Sequence, residues 1–176
     1  MRRLVAMLLL ASASAASAGR VEDRGLRYTV PDSWTRVPAA SDARAAQYRI
    51  PGLSDPTQDG ELVLFYFGHG QGGSAEDNLQ RWYSQFIQPD GRSTRDTAQV
   101  SIKTVRGLTV TMVELHGTYR PSPMGGGGAP RPGWRLLGAI VEGERGPWFF
   151  RATGPDATMI AARQGFAALL ESLDPH

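Results

Sequence analysis

The stretch FYFGHGQGGSAEDNLQRW, residues 65–82, decides between two folds for this chain. Gly68, Gly70 and Gly73 have the spacing G-x-G-x-x-G, after an apolar run and before a helix-like run. In a dinucleotide-binding βαβ unit, a second parallel strand would follow the helix, with an acidic residue about 20 positions further on. If the glycines only turn the backbone, the sheet need not be parallel and no nucleotide is implied.

The residues after the glycines argue against a nucleotide. Ser74 and Asp77 have the spacing of a capping box, and Glu76 adds a second acid in the first turn of a helix predicted over residues 74–88. These side chains satisfy the N–H groups that would otherwise hold a phosphate, and their charge repels it. The helix then runs into QPDGRSTRDT, residues 88–97, which is polar and rich in turn formers. We therefore interpret the glycines as a turn and predict no nucleotide or other cofactor.

The rest of the chain predicts a mostly antiparallel sheet. Strands are predicted over residues 26–34, 45–50, 61–67, 98–105, 108–119, 134–142 and 147–153. The run over 61–67 is almost wholly apolar, as in a central strand that is covered on both faces. Arg106-Gly107 is typical of a two-residue hairpin turn, and residues 156–173 show the spacing of an amphipathic helix. Strands joined by short turns indicate an α+β domain with helices packed on the sheet.

The N-terminus MRRLVAMLLLASASAASA, residues 1–18, has the layout of a secretory signal peptide. Arg2 and Arg3 precede a short apolar run, and Ala16-Ser17-Ala18 is an A-x-A cleavage site. The apolar run is shorter than the roughly 20 residues that span a bilayer. We expect export to the periplasm or medium, a single domain over residues 19–176, and no transmembrane segment after cleavage.

The charge of the mature chain excludes a general attraction to nucleic acid. The whole chain has 19 basic and 17 acidic side chains, and removal of Arg2 and Arg3 leaves 17 of each sign. A near-neutral protein lacks the field that draws nucleic acid or anionic lipid. There is no cysteine, so the core of the exported protein is held by burial without disulfides.

The segment RPSPMGGGGAPRPG, residues 120–133, is the second unusual loop. Nine of its fourteen residues are proline or glycine, which predicts a mobile loop without regular structure. Long loops on a rigid sheet commonly carry recognition. The candidate binding residues in the two loops are Gly70, Gly73, Arg120, Arg131 and Trp134. Trp134 is either an aromatic anchor or a core residue that starts a strand. Five arginines either converge around this loop or lie scattered and solvated: Arg81, Arg120, Arg131, Arg135 and Arg151.

Two other functions stay open at this point. His69, Glu114 and His116 are the residue types of a two-histidine, one-carboxylate metal set, which would make the protein a small metal-dependent or acid-base hydrolase. The sequence has no cysteine nucleophile and no G-x-S-x-G elbow. The other possibility is a small-ligand carrier with an aromatic-lined cleft beside Trp82 or Trp134.

Several segments resemble a group of small exported bacterial proteins of uncharacterised function. They are NLQRWYSQF (78–86), GTY (117–119) and GWRLLGAIVEG…GPWFFRATGP (133–155). YTVPDSW, residues 28–34, is similar to the strand-Pro-x-x-Trp start of the Mog1/PsbP-like fold. The resemblance implies an α/β/α sandwich that serves for binding or assembly. Our first hypothesis is therefore an exported, non-catalytic module that binds another protein or an envelope component.

Overall fold

The computed structural model describes residues 19–122 and 127–176; the predicted signal peptide and residues 123–126 lie outside this part. The strands are β1 (Gly19–Asp23), β2 (Leu26–Val30), β3 (Thr35–Arg36), β4 (Arg44–Ile50), β5 (Gly60–Tyr66), β6 (Phe86–Ile87), β7 (Gln99–Val105), β8 (Leu108–Tyr119), β9 (Arg131–Glu142), β10 (Trp148–Pro155) and β11 (Asp174–Pro175). The helices are α1 (Ala75–Tyr83), α2 (Thr94–Thr97) and α3 (Asp156–Glu171), with a 3₁₀ turn at Pro56–Gln58.

The main sheet is antiparallel throughout its described pairings. Its strand order is β3-β4-β5-β10-β9-β8-β6, and β7 pairs with β8 beside β6. A smaller sheet has the order β1-β2-β11. Strand β5, which leads into the glycine loop, is antiparallel to both of its neighbours, so the loop does not belong to a βαβ unit. The prediction of an α+β fold with a mostly antiparallel sheet is confirmed.

Helices cover both faces of the main sheet. Side chains alternate along β9, so Leu137 and Val141 point to the face that carries α3 while Leu136 and Ile140 point to the face that carries α1. The α3-face core includes Leu26, Tyr28, Ile50, Leu62, Leu64, Leu137, Val141, Trp148, Phe150, Met159, Leu169 and Leu173. The α1-face core includes Leu79, Trp82, Tyr83, Phe86, Val113, Leu115, Tyr119, Leu136, Ile140 and Phe149. The burial of Leu62, Val63 and Leu64, which lie next to each other in β5, confirms that this strand is central and covered on both faces.

Helix α1 begins as predicted and ends earlier. Ser74 and Asp77 form the reciprocal capping box, and the helix stops at Tyr83 instead of continuing to residue 88. Phe86 and Ile87 form strand β6 against the end of β8. This pairing requires Gly117, because a Cβ there would lie 2.7 Å from the Ile87 carbonyl oxygen. Tertiary pairing therefore overrides the helical spacing of the last two apolar residues.

Other boundaries differ by a few residues. The Arg106-Gly107 turn is confirmed, with φ values of 46° and 83° as in a type I′ hairpin. Strand β9 begins at Arg131, so the last three residues of the predicted loop over 120–133 are in a strand. The short strands β1, β3 and β11 were not predicted, because two to five residues carry too little pattern. Within the described residues, the helices are too short or too polar to cross a membrane.

Candidate functional site

Aromatic and guanidinium groups form a continuous stack where β8 ends and β9 begins. Tyr119 is paired with Arg131 across the two strands, so the proline- and glycine-rich segment leaves and returns at this point. The Tyr119 and Trp134 rings are stacked, with centroids 5.5 Å apart and an interplanar angle of 12°. The Arg131 guanidinium lies 4.5 Å from the Trp134 ring centroid. Such stacking holds an arginine in a fixed orientation while its N–H groups stay available.

A second arginine lies against the Tyr119 end of the stack. The Arg151 guanidinium is 5.4 Å from the centroid of the Tyr119 ring, and its Nη2 donates to the Tyr119 hydroxyl at 2.5 Å. The same nitrogen donates to Oε1 of Gln85 at 3.0 Å. Phe86 packs against Tyr119 with a centroid distance of 5.4 Å. We call Arg131, Trp134, Tyr119, Arg151 and Phe86 the aromatic ladder.

The ladder runs from the core to the surface. Phe86 and Tyr119 are buried, Trp134 and Arg151 are half-buried, and Arg131 is exposed. The ring of Trp134 packs against the α1-face core, while its outer face carries the exposed Arg131 guanidinium. Buried aromatic residues below an exposed arginine are the composition of a binding hot spot.

Of the five arginines that either converge around the loop or lie scattered, only some are near one another. Arg131 and Arg151 are both in the ladder, and Arg120 follows Tyr119 and is exposed. Arg135 is not in this group. It lies on the opposite face of the sheet, buried, where it donates to Glu114 and, at 2.8 Å, to Asp156 at the start of α3. Arg81 lies on α1 and donates to the Asn78 side chain at 2.8 Å.

The glycine loop lies at the other end of the sheet. His69 makes a 2.9 Å hydrogen bond through Nδ1 with the Glu144 carbonyl oxygen, in the turn between β9 and β10. Gly70 and Gly73 line an open cleft of about 390 Å³ with that turn. Trp134 is near the start of β9 and the turn follows its end, about 27 Å away at the rise of a strand. The two predicted contact loops therefore form separate surfaces.

The candidate metal residues are not brought together. Glu114 accepts hydrogen bonds from Arg135 and Arg163 on the α3 face of the sheet. His116 is exposed on the same strand, and His69 is held by the distant β9–β10 turn. Across residues 19–122 and 127–176, no three histidine, aspartate or glutamate side chains are grouped as metal ligands. His69 is thus separated from Glu114 and His116, and the three do not form one metal site.

The two tryptophans considered for a ligand cleft, Trp82 and Trp134, are packed against other residues of the protein. Trp82 is buried over Gly138, where a Cβ would lie 2.5 Å from the ring. A second open cleft on the described surface, of about 460 Å³, lies between the end of α1 and residues 91–95. Phe86 lines that cleft, while Trp82 and Trp134 line neither cleft. Trp82 therefore belongs to the core, and Trp134 belongs to the ladder.

The N-terminus of α1 is compensated in the way the sequence predicts. The Ser74 hydroxyl accepts from the Asp77 amide at 3.1 Å, and Asp77 accepts from the Ser74 hydroxyl and amide at 2.6 and 3.2 Å. These hydrogen bonds lower the pKa of Asp77. A carboxylate is therefore held at the position where a phosphate would bind.

Comparison with known proteins gives the fold. No protein-family model matches the sequence, and none of the curated proteins matches it. Among solved structures, the chain is similar to the cyanobacterial PsbP protein CyanoP of Synechocystis sp. PCC 6803, at 14% identity and a TM-score of 0.53, over 97% of this chain and 99% of that one. It is similar to LpqN of Mycobacterium tuberculosis, which is involved in cell envelope biogenesis, at 15% identity and a TM-score of 0.53, over 85% and 83% of the two chains.

A third similar structure is PA94 of Pseudomonas aeruginosa, a protein of unknown function. It has 12% identity and a TM-score of 0.51, over 81% of this chain and 97% of that one. The chain therefore has a PsbP-like fold, as its resemblance implied. Identities this low establish the architecture alone, so the function must be argued from the site.

Sequence reasoning selected Arg131 and Trp134 but not Tyr119 or Phe86 as site residues. Gly117 and Tyr119 are two residues apart and therefore lie on one face of β8. This spacing is the signal in the sequence that could identify Tyr119. Phe86 gave no such signal, because its helical spacing assigned it to α1. The ladder draws on four strands, and only the tertiary structure places them side by side.

Proposed function

We propose that the protein is an exported, non-catalytic binding module that recognises a partner protein of the cell envelope through the aromatic ladder. The observation that carries the proposal is the exposed Arg131 guanidinium, stacked over Trp134 at the point where residues 120–133 leave and rejoin the sheet. Aromatic and arginine side chains that are already ordered lose little entropy on binding. They also supply most of the energy in protein interfaces.

Two further observations support this function. The N-terminal sequence has the layout of a secretory signal peptide, which favours a partner outside the cytoplasm. One similar structure, LpqN, is described as involved in cell envelope biogenesis. We extend to this chain only the idea of an envelope-linked binding role. Gly70 and Gly73 stay secondary candidates, because their loop lies at the other end of β9.

The test is site-specific cross-linking in the native envelope. A photoreactive residue replaces Arg120, beside the ladder, and the export of the chain is checked by fractionation of the cells. We expect one dominant cross-linked protein, and we expect its yield to fall about tenfold or more in Trp134→Ala, as is usual for a hot-spot residue. A smaller fall is expected for Arg131→Ala.

The matched control is Arg36→Ala. Arg36 is also exposed and lies 5.9 Å from an aromatic centroid, that of Tyr48, but on β3 at the far edge of the sheet. The proposal predicts unchanged cross-linking in this variant. Cross-linking that survives Trp134→Ala, or that Arg36→Ala removes equally, would show that the ladder is not the recognition surface.

A further inference from the structure

Arg151 is a positive charge without a counter-charge. Six described arginines have no carboxylate within 4.0 Å: Arg36, Arg81, Arg120, Arg131, Arg145 and Arg151. Five of them are exposed, where water compensates the charge; Arg151 is the half-buried one. A charge that is partly withdrawn from water without a partner is destabilising. Its retention in the ladder therefore needs an explanation.

No carboxylate of the described residues lies within 4.0 Å of Arg151. Residues 1–18 and 123–126, which lie outside the described part, contain no aspartate or glutamate. On the same face of the sheet, Glu61 is two residues from Val63, the cross-strand partner of Arg151. Glu61 already accepts from Gln47 at 3.1 Å and lies 3.5 Å from Arg44. A partner molecule is therefore the source that we consider for the counter-charge of Arg151.

The hydrogen bonds of Arg151 indicate where such a group would bind. Both of its hydrogen bonds come from Nη2, and they go to neutral oxygens of Gln85 and Tyr119. Its Nε is buried and has no hydrogen-bond partner. Nε and Nη2 form one edge of the planar guanidinium, which matches the two oxygens of a carboxylate. The Gln85 amide oxygen occupies half of that edge.

We propose that Arg151 binds a carboxylate of an acidic segment of the partner protein, and that the Gln85 amide oxygen holds this place in the free protein. The inference rests on the proposed function and adds the chemistry of the partner. The incoming carboxylate displaces Gln85 and accepts from Nε and Nη2, while the Tyr119 hydroxyl keeps its hydrogen bond to Arg151. Arg131, at the exposed end of the ladder, is available for a second acidic side chain of the same segment.

An acidic protein segment fits better than an anionic membrane. The mature chain has equal numbers of acidic and basic side chains, so it lacks the long-range attraction that draws a protein to an anionic bilayer. Arg151 is half-buried beside Tyr119, where a carboxylate on a flexible side chain can reach it. The tryptophan, tyrosine and arginine of the ladder are also the residues enriched in protein interfaces.

The experiment titrates the mature chain, residues 19–176, with a hexaglutamate peptide and follows backbone and arginine Nε resonances by NMR. We expect saturable shifts of Gln85, Tyr119 and the Arg151 Nε signal. Hexaglutamine, inorganic phosphate and phosphatidylglycerol vesicles are the parallel probes. Shifts at Arg151 that are equally strong with hexaglutamine, phosphate or the vesicles would overturn the choice of an acidic segment.

Two variants separate binding from a purely structural role. Arg151→Gln should weaken peptide binding about tenfold or more, since it removes a charged hydrogen-bond donor. Gln85→Glu places a carboxylate of the chain itself on the guanidinium edge of Arg151. It should therefore raise the melting temperature, and it should weaken peptide binding about as much as Arg151→Gln does. If Arg151 were purely structural, Gln85→Glu would raise the melting temperature but would not weaken peptide binding. Arg36→Gln is the charge-matched control and should bind within about twofold of the native chain.

Failure of this inference is distinguishable from failure of the proposed function. If hexaglutamate does not shift Arg151, or if Gln85→Glu binds it as well as the native chain, the carboxylate site is wrong. The envelope cross-link would then still depend on Trp134 under the proposed function. Loss of that dependence would instead remove the ladder as a binding surface.

Discussion

The two faces of the main sheet differ in how their charged groups are paired and in how much apolar surface they expose. On the α3 face, Glu114 is enclosed by Arg135 and Arg163, and Arg135 also reaches Asp156. On the α1 face, Arg151 has no carboxylate partner. Val100 of the edge strand β7 pairs with Val113, which belongs to the α1-face core. Ile102 lies two residues after Val100 and is therefore on the same face. Ile102 is 69% exposed. The α3 face is built for stability, and the α1 face leaves groups available for contact.

The largest expected effect tests where the stability resides. Leu169 of α3 is fully buried, and Leu169→Ala should lower the free energy of unfolding by about 3–5 kcal/mol through lost burial and a cavity. Leu79→Ala is the matched variant on α1, which is a shorter helix on a smaller core, and it should cost less. Urea unfolding followed by circular dichroism measures both. An equal or larger loss in Leu79→Ala would contradict the assignment of stability to the α3 face.

The next prediction compares the charges of the two faces. Glu114→Gln removes the carboxylate that two guanidinium groups share, and leaves the buried Arg135 with only Asp156. We expect a loss of about 2–3 kcal/mol in the free energy of unfolding. Arg151→Gln should change stability by less than about 1 kcal/mol, because it removes a charge that has no partner. Urea midpoints at pH 7 check both values, and a larger loss in Arg151→Gln would make that residue structural.

The sequence predicts the stable parts of this molecule better than its candidate site. Local patterns were sufficient for β5, for the Ser74 cap and for the hairpin turn at Arg106, because each depends on neighbouring residues. The helical spacing that included Phe86 failed, because pairing with β8 outweighs local preference. The ladder depends on contacts of Tyr119 with Phe86 and with Arg151, which are 33 and 32 positions away in the sequence. No periodicity within one element encodes such a contact.

A moderate effect is expected where α1 rests on the sheet. A Cβ at Gly138 would lie 2.5 Å from the Trp82 ring and 2.9 Å from Val113, so Gly138→Ala should cost about 2 kcal/mol by overpacking. Its φ lies outside the left-handed region, so the cost comes from the contact and not from backbone strain. Trp82→Leu in the same chain should recover part of the loss. Thermal melts of the two single variants and the double variant measure this coupling, and strict additivity would show that Trp82 does not rest on Gly138.

The smallest effect concerns how the two faces begin their helices. Ser74→Ala removes the side-chain cap of α1 and should lower stability by about 1 kcal/mol at pH 7. Hydrogen bonds from Ser74 lower the pKa of Asp77, so the part of this contribution that the carboxylate makes is complete above the unfolded pKa of about 3.9 and is lost as the pH falls through the lower folded value.

Urea unfolding of the native chain and Ser74→Ala between pH 7 and pH 2 checks this sign. Other aspartates with lowered pKa values, such as Asp59 and Asp90, are present in both proteins, so the difference between the two curves isolates the cap. The difference between the curves should shrink in acid without vanishing, because the Ser74 hydroxyl still accepts from the Asp77 amide when the carboxyl is protonated. A constant difference down to pH 2 would contradict the role of the Asp77 carboxylate. Helix α3 offers the contrast, because it follows Pro155 without a side-chain cap and its first acid, Asp156, is held by Arg135 from the sheet. On the α3 face an arginine of the sheet holds the first acid of the helix, whereas α1 depends on a hydrogen-bonded pair of its own that acid weakens.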